Sequence, residues 1–237
     1  MKANRAERLA SLGTLAAGVA HEINQPLNSL KMMADSLLYW YSIDGTLDLS
    51  EVVEELSKIS SQAERIGEII NRMRGFVRSE NNAQIDHCDL NEAVEDALTM
   101  FGCQLSSHGI KVRKTLFHPI PLIMADKKKL EEVVINLTVN AMQALDTTSK
   151  PNKEVLIATY VEDNVILEIS DNATGVDKNI AHKIFEPFFT TKEAGVGMGL
   201  GLSIAHSIVS SFEGRIYVKE NHMGGATFRI KFPVAKP

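Results

Sequence analysis

The chain has 237 residues, 44% hydrophobic and 23% charged, with a formal net charge of −5. That composition is ordinary for globular protein, long enough for one large domain or two modest ones, and its acidic balance offers no basic surface for nucleic acid. Cys88 and Cys103 are the only cysteines; they fit no metal spacing and no disulfide framework, which suits a reducing, cytoplasmic setting.

The first predicted element is a long helix. Leu9, Leu12, Ala16, Val19, Ile23, Pro26, Leu30, Met33, Leu37 and Trp40 alternate spacings of three and four, a heptad seam sustained over several turns. A second seam follows through Val52, Leu56, Ile59, Ala63, Ile66, Ile70, Met73 and Val77. Between them YSIDGTLDLS supplies Gly45 for the turn and Asp48 or Ser50 as N-cap. The pattern predicts an all-α helical hairpin. One hairpin makes a poor core, whereas two make a four-helix bundle, so a homodimer is expected.

The seam places a histidine. With Val19 at d and Ile23 at a, His21 falls at f and faces water. Glu22 adjoins it, and Pro26 follows where the helix would otherwise run on. Proline in a helix interior removes a hydrogen bond and costs about 3 kcal/mol, so a bend is expected. An exposed imidazole with a pKa near ~6.5 is largely neutral at pH 7 and nucleophilic. A phosphoacceptor needs such a group, reachable by two different partners.

After the polar stretch SENNAQID the period changes. DLNEAVEDALTMF reads as an amphipathic helix, KVRKTLF and PLIMA as strands, and KKKLEEVVINLTVNAMQAL as a second helix. EVLIATYVEDNVILEIS is a hairpin turning at Glu162, Asp163 and Asn164. GLSIAHSIVSSFEG is a helix closed by Gly214. RIYVKENHMGGATFRIKF is a last hairpin turning at Gly224 and Gly225. This is an α+β sandwich, one sheet covered by helices. Residues 1–82 and 83–237 are the expected domains.

Four stretches of the second half carry chemistry. Asn136 and Asn140 in NLTVN share one helix face, where amide oxygens can hold Mg²⁺. Asp171 in DNATG ends a Val/Ile/Leu-rich strand; a buried carboxylate there can accept the amino group of adenine, with Gly175 permitting close approach. In GVGMGLGLS, Gly195, Gly197, Gly199 and Gly201 open a helix, an anion site built from backbone N–H groups and a positive helix end. The Walker pattern GxxxxGK[ST] is absent, and no buried strand precedes these glycines as a dinucleotide fingerprint requires. In EPFFTTK, Phe185, Phe188 and Phe189 make a loop apolar enough to be a lid or a local cluster.

These stretches, in this order, resemble the cytoplasmic core of two-component sensor histidine kinases, over nearly the whole chain. HEINQP resembles the phosphoacceptor box, NLTVNA the asparagine box, DNATG the first glycine box, EPFFTTK the phenylalanine box and GVGMGLGLS the second glycine box. GGATF resembles the last element beside the adenine. The wording is similar to the nitrogen-regulation and C4-dicarboxylate sensors.

The resemblance implies a dimeric four-helix bundle followed by an ATP-binding sandwich of the Bergerat type, shared with gyrase B and a heat-shock chaperone. It implies ATP and Mg²⁺ as cofactors, and autophosphorylation of His21 followed by transfer to an aspartate of a response regulator. Glu22 would orient the imidazole, and Gln25 would stand where related kinases orient water to dephosphorylate the regulator. Asn136 and Asn140 would hold Mg²⁺. Asn136, Asn140, Gln143, Asp171, Ala173, Gly175, Val176, Phe189, Thr190, Thr191, Lys192, Gly197, Gly199, Leu200, Gly201, Leu202 and Thr227 would line the nucleotide site. The expected location is cytoplasmic, with no membrane segment in this sequence, which is compatible with the cytoplasmic part of a membrane-bound sensor.

The family's first glycine box reads Asp-x-Gly-x-Gly, and here Ala173 takes the middle position. A Cβ at a close-approach glycine clashes with ligand or forbids positive φ. The expectation is a handicap in a surface turn, relieved by about tenfold or more in rate by Ala173→Gly; its rival is a turn with αR or β geometry at 173 that tolerates alanine. Two rivals stay open: a kinase-impaired dimer acting as regulator phosphatase or binding module, which Ala173 favours, and a gyrase-type ATPase, which would need a carboxylate where Asn136 stands.

Overall fold

The computed structural model describes residues 23–43, 45–46, 48–78, 84–192 and 199–235. They form two compact units, one of the helices up to Arg78 together with Thr191 and Lys192, the other α/β. His21, Glu22 and Gly197 lie outside the described residues, as does the expected boundary at 82/83.

In the helical unit, α1 covers residues 23–43 and α2 covers Leu49–Arg78. Gly45 makes the turn at φ 66°, its N–H donating to the Tyr41 carbonyl at 2.9 Å. Asp48 caps α2, accepting from the Ser50 N–H at 2.7 Å. On α1, Pro26 is buried while Ile23, Leu30, Met33 and Leu37 are half-buried, as the seam predicts, but Trp40, its last expected member, is 53% exposed. On α2 the shielded stripe runs Val52, Glu55, Ile59, Gln62, Ile66 and Ile69. The predicted second seam is thus split. Val52, Ile59 and Ile66 lie on the shielded face, whereas Leu56, Ala63 and Ile70 stand exposed beside it. A strict heptad on a 3.6-residue helix spreads across two adjoining stripes.

The α/β unit runs β1 (Asp86–Cys88), α3 (Leu90–Ser107), β2 (Ile110–Leu116), β3 (Ile123–Ala125), α4 (Lys127–Asp146), β4 (Lys153–Val161), β5 (Val165–Asp171), α5 (Gly201–Ser211), β6 (Arg215–Glu220) and β7 (Ala226–Phe232). The main sheet has the order β2-β4-β5-β7-β6. β2 lies parallel to β4 and the other pairs are antiparallel. β1 pairs with β3 as a separate antiparallel ribbon.

Strand alternation explains the core. Ile157, Ile169 and Phe228 lie in one cross-strand row, Leu167 and Ile230 in the next, and all are buried. Leu90, Val94, Val133, Leu137, Ile204 and Ile208 bury the matching helix faces. Asp171 pairs with Val155 and shares the inner phase of Ile169 and Leu167, at the end of β5. One polar group inside the layer is fully satisfied: the Asn91 amide donates to the Phe117 carbonyl at 2.9 Å and accepts from the Thr159 hydroxyl at 2.6 Å.

α3 runs past the predicted end at Phe101, through Gly102, to Ser107. Leu105 is fully buried, and that packing outweighs the ~1 kcal/mol helix penalty of glycine. Among the described residues no helix is long and apolar enough to cross a membrane.

Candidate nucleotide site

Asp171 is 2% exposed. Burial pushes its carboxyl above the ordinary carboxylate range, opposed by the N–H groups of Ala173 and Ala226 and by the charge of Lys150. Both N–H groups donate to Oδ1, at 2.9 and 3.2 Å. The β6–β7 turn closes over this residue. A Cβ on Gly225 would stand 2.2 Å from the Asp171 carbonyl oxygen and 2.5 Å from Oδ1, so only glycine fits there. Gly175 sits at φ 77°, and a Cβ on it would meet the Gly225 carbonyl at 3.5 Å. The DNATG and MGGA turns therefore form one cradle around a costly carboxylate.

Asn221 holds that cradle shut. Its amide nitrogen donates to the carbonyls of Asp171 and Ala226 at 2.9 and 3.0 Å, and its oxygen accepts from the N–H groups of Met223 and Gly225. Asn172 ties the turn outward, accepting from the Glu154 N–H at 2.8 Å and donating to the Asn152 carbonyl at 2.8 Å.

Ala173 bears on two expectations. It is 1% exposed, so its side chain is packed inward even though Thr174 beside it is exposed. Among the described residues only Phe188 and Glu213 combine a side chain with positive φ; Ala173 therefore has ordinary backbone and carries no glycine-type strain. The position that does need glycine is Gly175.

On α4, Asn136, Asn140 and Gln143 are all half-buried. The Asn136 amide nitrogen is buried with no hydrogen-bond partner among the described residues, which costs about 1–3 kcal/mol without a ligand or water. A Cβ on Gly201 would stand 3.5 Å from the Asn136 side-chain oxygen, so the first residue of α5 adjoins Asn136. That helix start is bare. Asp89 and Asp126 cap α3 and α4 with their side chains, whereas Leu200 gives α5 no side-chain cap. The first-turn N–H groups of α5 are thus left for an anion. An orphaned amide, an uncapped helix start and a buried carboxylate in a glycine cradle fit a magnesium nucleotide.

The EPFFTTK segment is anchored at one end. The Phe185 ring packs edge-on to Phe228 with centroids 6.4 Å apart, and on His206 at 5.6 Å; it is half-buried at the edge of the core. Phe188 turns at φ 65° and donates its N–H to the Gly199 carbonyl at 3.1 Å. Gly199 sits at φ 63°, where a Cβ would meet the Phe189 carbonyl oxygen at 2.5 Å.

Phe189, Val176, Gly201 and Leu202 are half-buried, Leu200 is buried, and Thr190 and Thr191 are exposed. Burial holds the Lys192 ammonium below its ordinary value. Thr227 is buried on the opposite strand face from Phe228, its hydroxyl bonded to Ser170 Oγ at 2.7 Å. Strand alternation thus sets it away from the face that carries Asp171.

Residues 125–236 match the family model described as histidine kinase-, DNA gyrase B-, and HSP90-like ATPase, and residues 11–82 match the His Kinase A (phospho-acceptor) domain. The chain is a sensor histidine kinase core. It is 31% identical over 96% of its length to the sensor protein FixL of Bradyrhizobium diazoefficiens. It is 32% identical over 97% of its length to the signal transduction histidine-protein kinase AtoS of Escherichia coli. It is 29% identical over 95% of its length to the C4-dicarboxylate transport sensor protein DctB of Pseudomonas aeruginosa. It spans 45%, 36% and 36% of those proteins. The solved catalytic domain of histidine kinase ThkA superposes with a TM-score of 0.56 at 26% identity, covering 64% of this chain and 96% of that one. ThkA in complex with response regulator protein TrrA gives 0.75 at 23% identity over 98% of this chain and 64% of that one, a likeness of fold.

In this kinase core the residues that sequence reasoning passed over are Lys150, Asn172 and Asn221. Asn221 carried a signal: an asparagine three residues before Gly224 and Gly225 is turn chemistry. Lys150 carried none, because its partners lie 22 and 23 residues away.

Proposed function

We propose that this kinase core binds ATP at the Asp171 cradle, phosphorylates its own His21, and passes the phosphoryl group to an aspartate of a response regulator. The observation that carries the reading is the buried Asp171 carboxylate. Its Oδ1 is held by two backbone N–H groups, which leaves Oδ2 to accept the adenine amino group. In transfer, an imidazole nitrogen of His21 attacks the γ-phosphorus, the bond to the β-phosphate oxygen breaks, and ADP leaves. Positioning and charge stabilisation supply most of the rate. Mg²⁺, when bound, neutralises phosphate charge, and Asn136 and Asn140 are the amide oxygens that would hold it. Glu22 would orient the imidazole.

A dimer is part of this reading. Leu49, Val53, Leu56 and Ile70 form an exposed apolar stripe on α2 that a second hairpin would cover. Gln25, exposed on α1 four residues after His21, supports a further phosphatase role toward the regulator. A gyrase-type ATPase is disfavoured, since the amide of Asn136 cannot act as a general base. The test is incubation with γ-labelled ATP. Acid-labile, base-stable label, lost in His21→Ala while ADP still binds, is expected. Label persisting on that variant would assign the acceptor elsewhere.

A further inference from the structure

Outside the residues given a role above, one charged side chain touches the cradle. Lys150 lies on the loop between α4 and β4 and its ammonium donates to the carbonyls of Asn172 and Ala173, at 2.5 and 3.0 Å. Those carbonyls belong to the turn that follows Asp171. The Ala173 N–H, in the peptide group of the Asn172 carbonyl, donates to Asp171 Oδ1. An ammonium on a peptide oxygen polarises that peptide and strengthens its N–H as a donor. A Cβ on Gly224 would lie 3.9 Å from the same ammonium, so Lys150 sits where the two turns of the cradle meet.

We propose that Lys150 is a positioning residue for nucleotide binding, clamping the DNATG turn so that Asp171 stays ionised and correctly aimed at the base. The inference rests on the reading of Asp171 as the adenine acceptor. A carboxyl accepts from an amino group more strongly when it is ionised, and burial works against that charge. The charged or titratable groups on the elements around it are Lys150 on the loop, Lys153, Glu154 and Tyr160 on β4, Glu168 on β5, Arg215, Tyr217, Lys219 and Glu220 on β6, His222 in the β6–β7 turn, and Arg229 and Lys231 on β7. Of these, Lys150 is the one whose charge bears on the Asp171 carboxyl. No described side chain other than Lys150 donates to the Asn172 or Ala173 carbonyl.

The test measures ADP affinity by calorimetry from neutral to acid pH for the whole chain and its variants. Lys150→Met should bind ADP about threefold more weakly at neutral pH, the loss of a partly exposed charge-assisted contact. Its acid limb should move upward by about half a pH unit, because an opposite charge has been taken from a carboxylate. Lys150→Arg should restore both. Lys178→Met, which removes an exposed lysine paired with Glu220, controls for general attraction between protein charge and phosphate, and should match wild type. Wild-type affinity and an unshifted limb in Lys150→Met would overturn the proposal, as would an equal loss in Lys178→Met. Full ADP affinity in Asp171→Asn would instead overturn the reading of Asp171 itself, whatever Lys150 does.

Discussion

Asp171 is placed at a cost. Its raised carboxyl pKa means that the folded chain holds this proton more tightly than the unfolded chain does. Stability therefore falls as pH rises through the interval between the ordinary and the raised value, and returns as pH falls back through it. Asp171→Asn keeps an oxygen for the N–H groups of Ala173 and Ala226 and removes the buried charge. Its melting temperature at neutral pH should equal or exceed wild type, with the gain shrinking in acid, while ADP binding falls at least about tenfold, the order of one charge-assisted hydrogen bond. Melting curves across pH beside ADP titrations decide it; a less stable variant that binds ADP normally would contradict both halves. Ala173→Gly belongs at this scale too. The alanine is buried with ordinary φ, so glycine removes a packed methyl and loosens the unfolded chain. A destabilisation of about 1 kcal/mol with no gain in labelling rate is expected; a faster, equally stable variant would restore the handicap. The carboxylate and the asparagine pair were legible because residue type and place at a strand end or helix face suffice. The roles of Lys150 and Gly225 were not, since each depends on which distant segment folds against it.

At the level of elements, the strongly periodic ones were readable, and of the two three-residue strands only β3, within PLIMA, was read. α4 starts at the predicted Lys127 because Asp126 caps it through the Lys129 N–H at 3.2 Å. β1 has three residues, DHC, too few to show alternation, and exists only through pairing with β3. The start of α5 shows an element serving the site. It forgoes a side-chain cap, worth about 1 kcal/mol, and is fixed instead by the clasp between Gly199 and the Phe188–Phe189 backbone. Gly199→Ala would force a Cβ into the Phe189 carbonyl at a positive φ. It should loosen the clasp and cut ADP affinity several-fold, while the melting temperature falls by a few degrees, about 1–2 kcal/mol at this chain length. Unchanged affinity would separate the clasp from the nucleotide site. Asp126→Ala is the contrast: it should cost a similar amount of stability and leave affinity for the folded fraction unchanged.

At the scale of the molecule, the open question is what covers α2. The heptad pattern predicted one seam, whereas the helix carries two stripes. The first, with Ile59, Ile66 and Ile69, is shielded. The second leaves Leu49 77%, Val53 58%, Leu56 52% and Ile70 39% exposed, a run of apolar side chains that a single hairpin cannot bury. A two-fold axis would set this stripe against its own copy, so each substitution acts twice in one interface. The stripes predict different failures for the same chemistry. Leu56→Asp places two carboxylates in a dimer interface at several kcal/mol each without partners, so the chain should sediment as a monomer. Its hairpin should stay helical, and its ADP affinity should match wild type. Ile59→Asp strikes the shielded stripe and should lower helical content as well as dissociate the dimer, again sparing ADP binding. Sedimentation velocity, far-UV circular dichroism and ADP titration on both variants separate the cases. A Leu56→Asp chain that remains dimeric would show that the second stripe is not the dimer contact. A wild-type chain that sediments as a folded monomer would remove the dimer altogether.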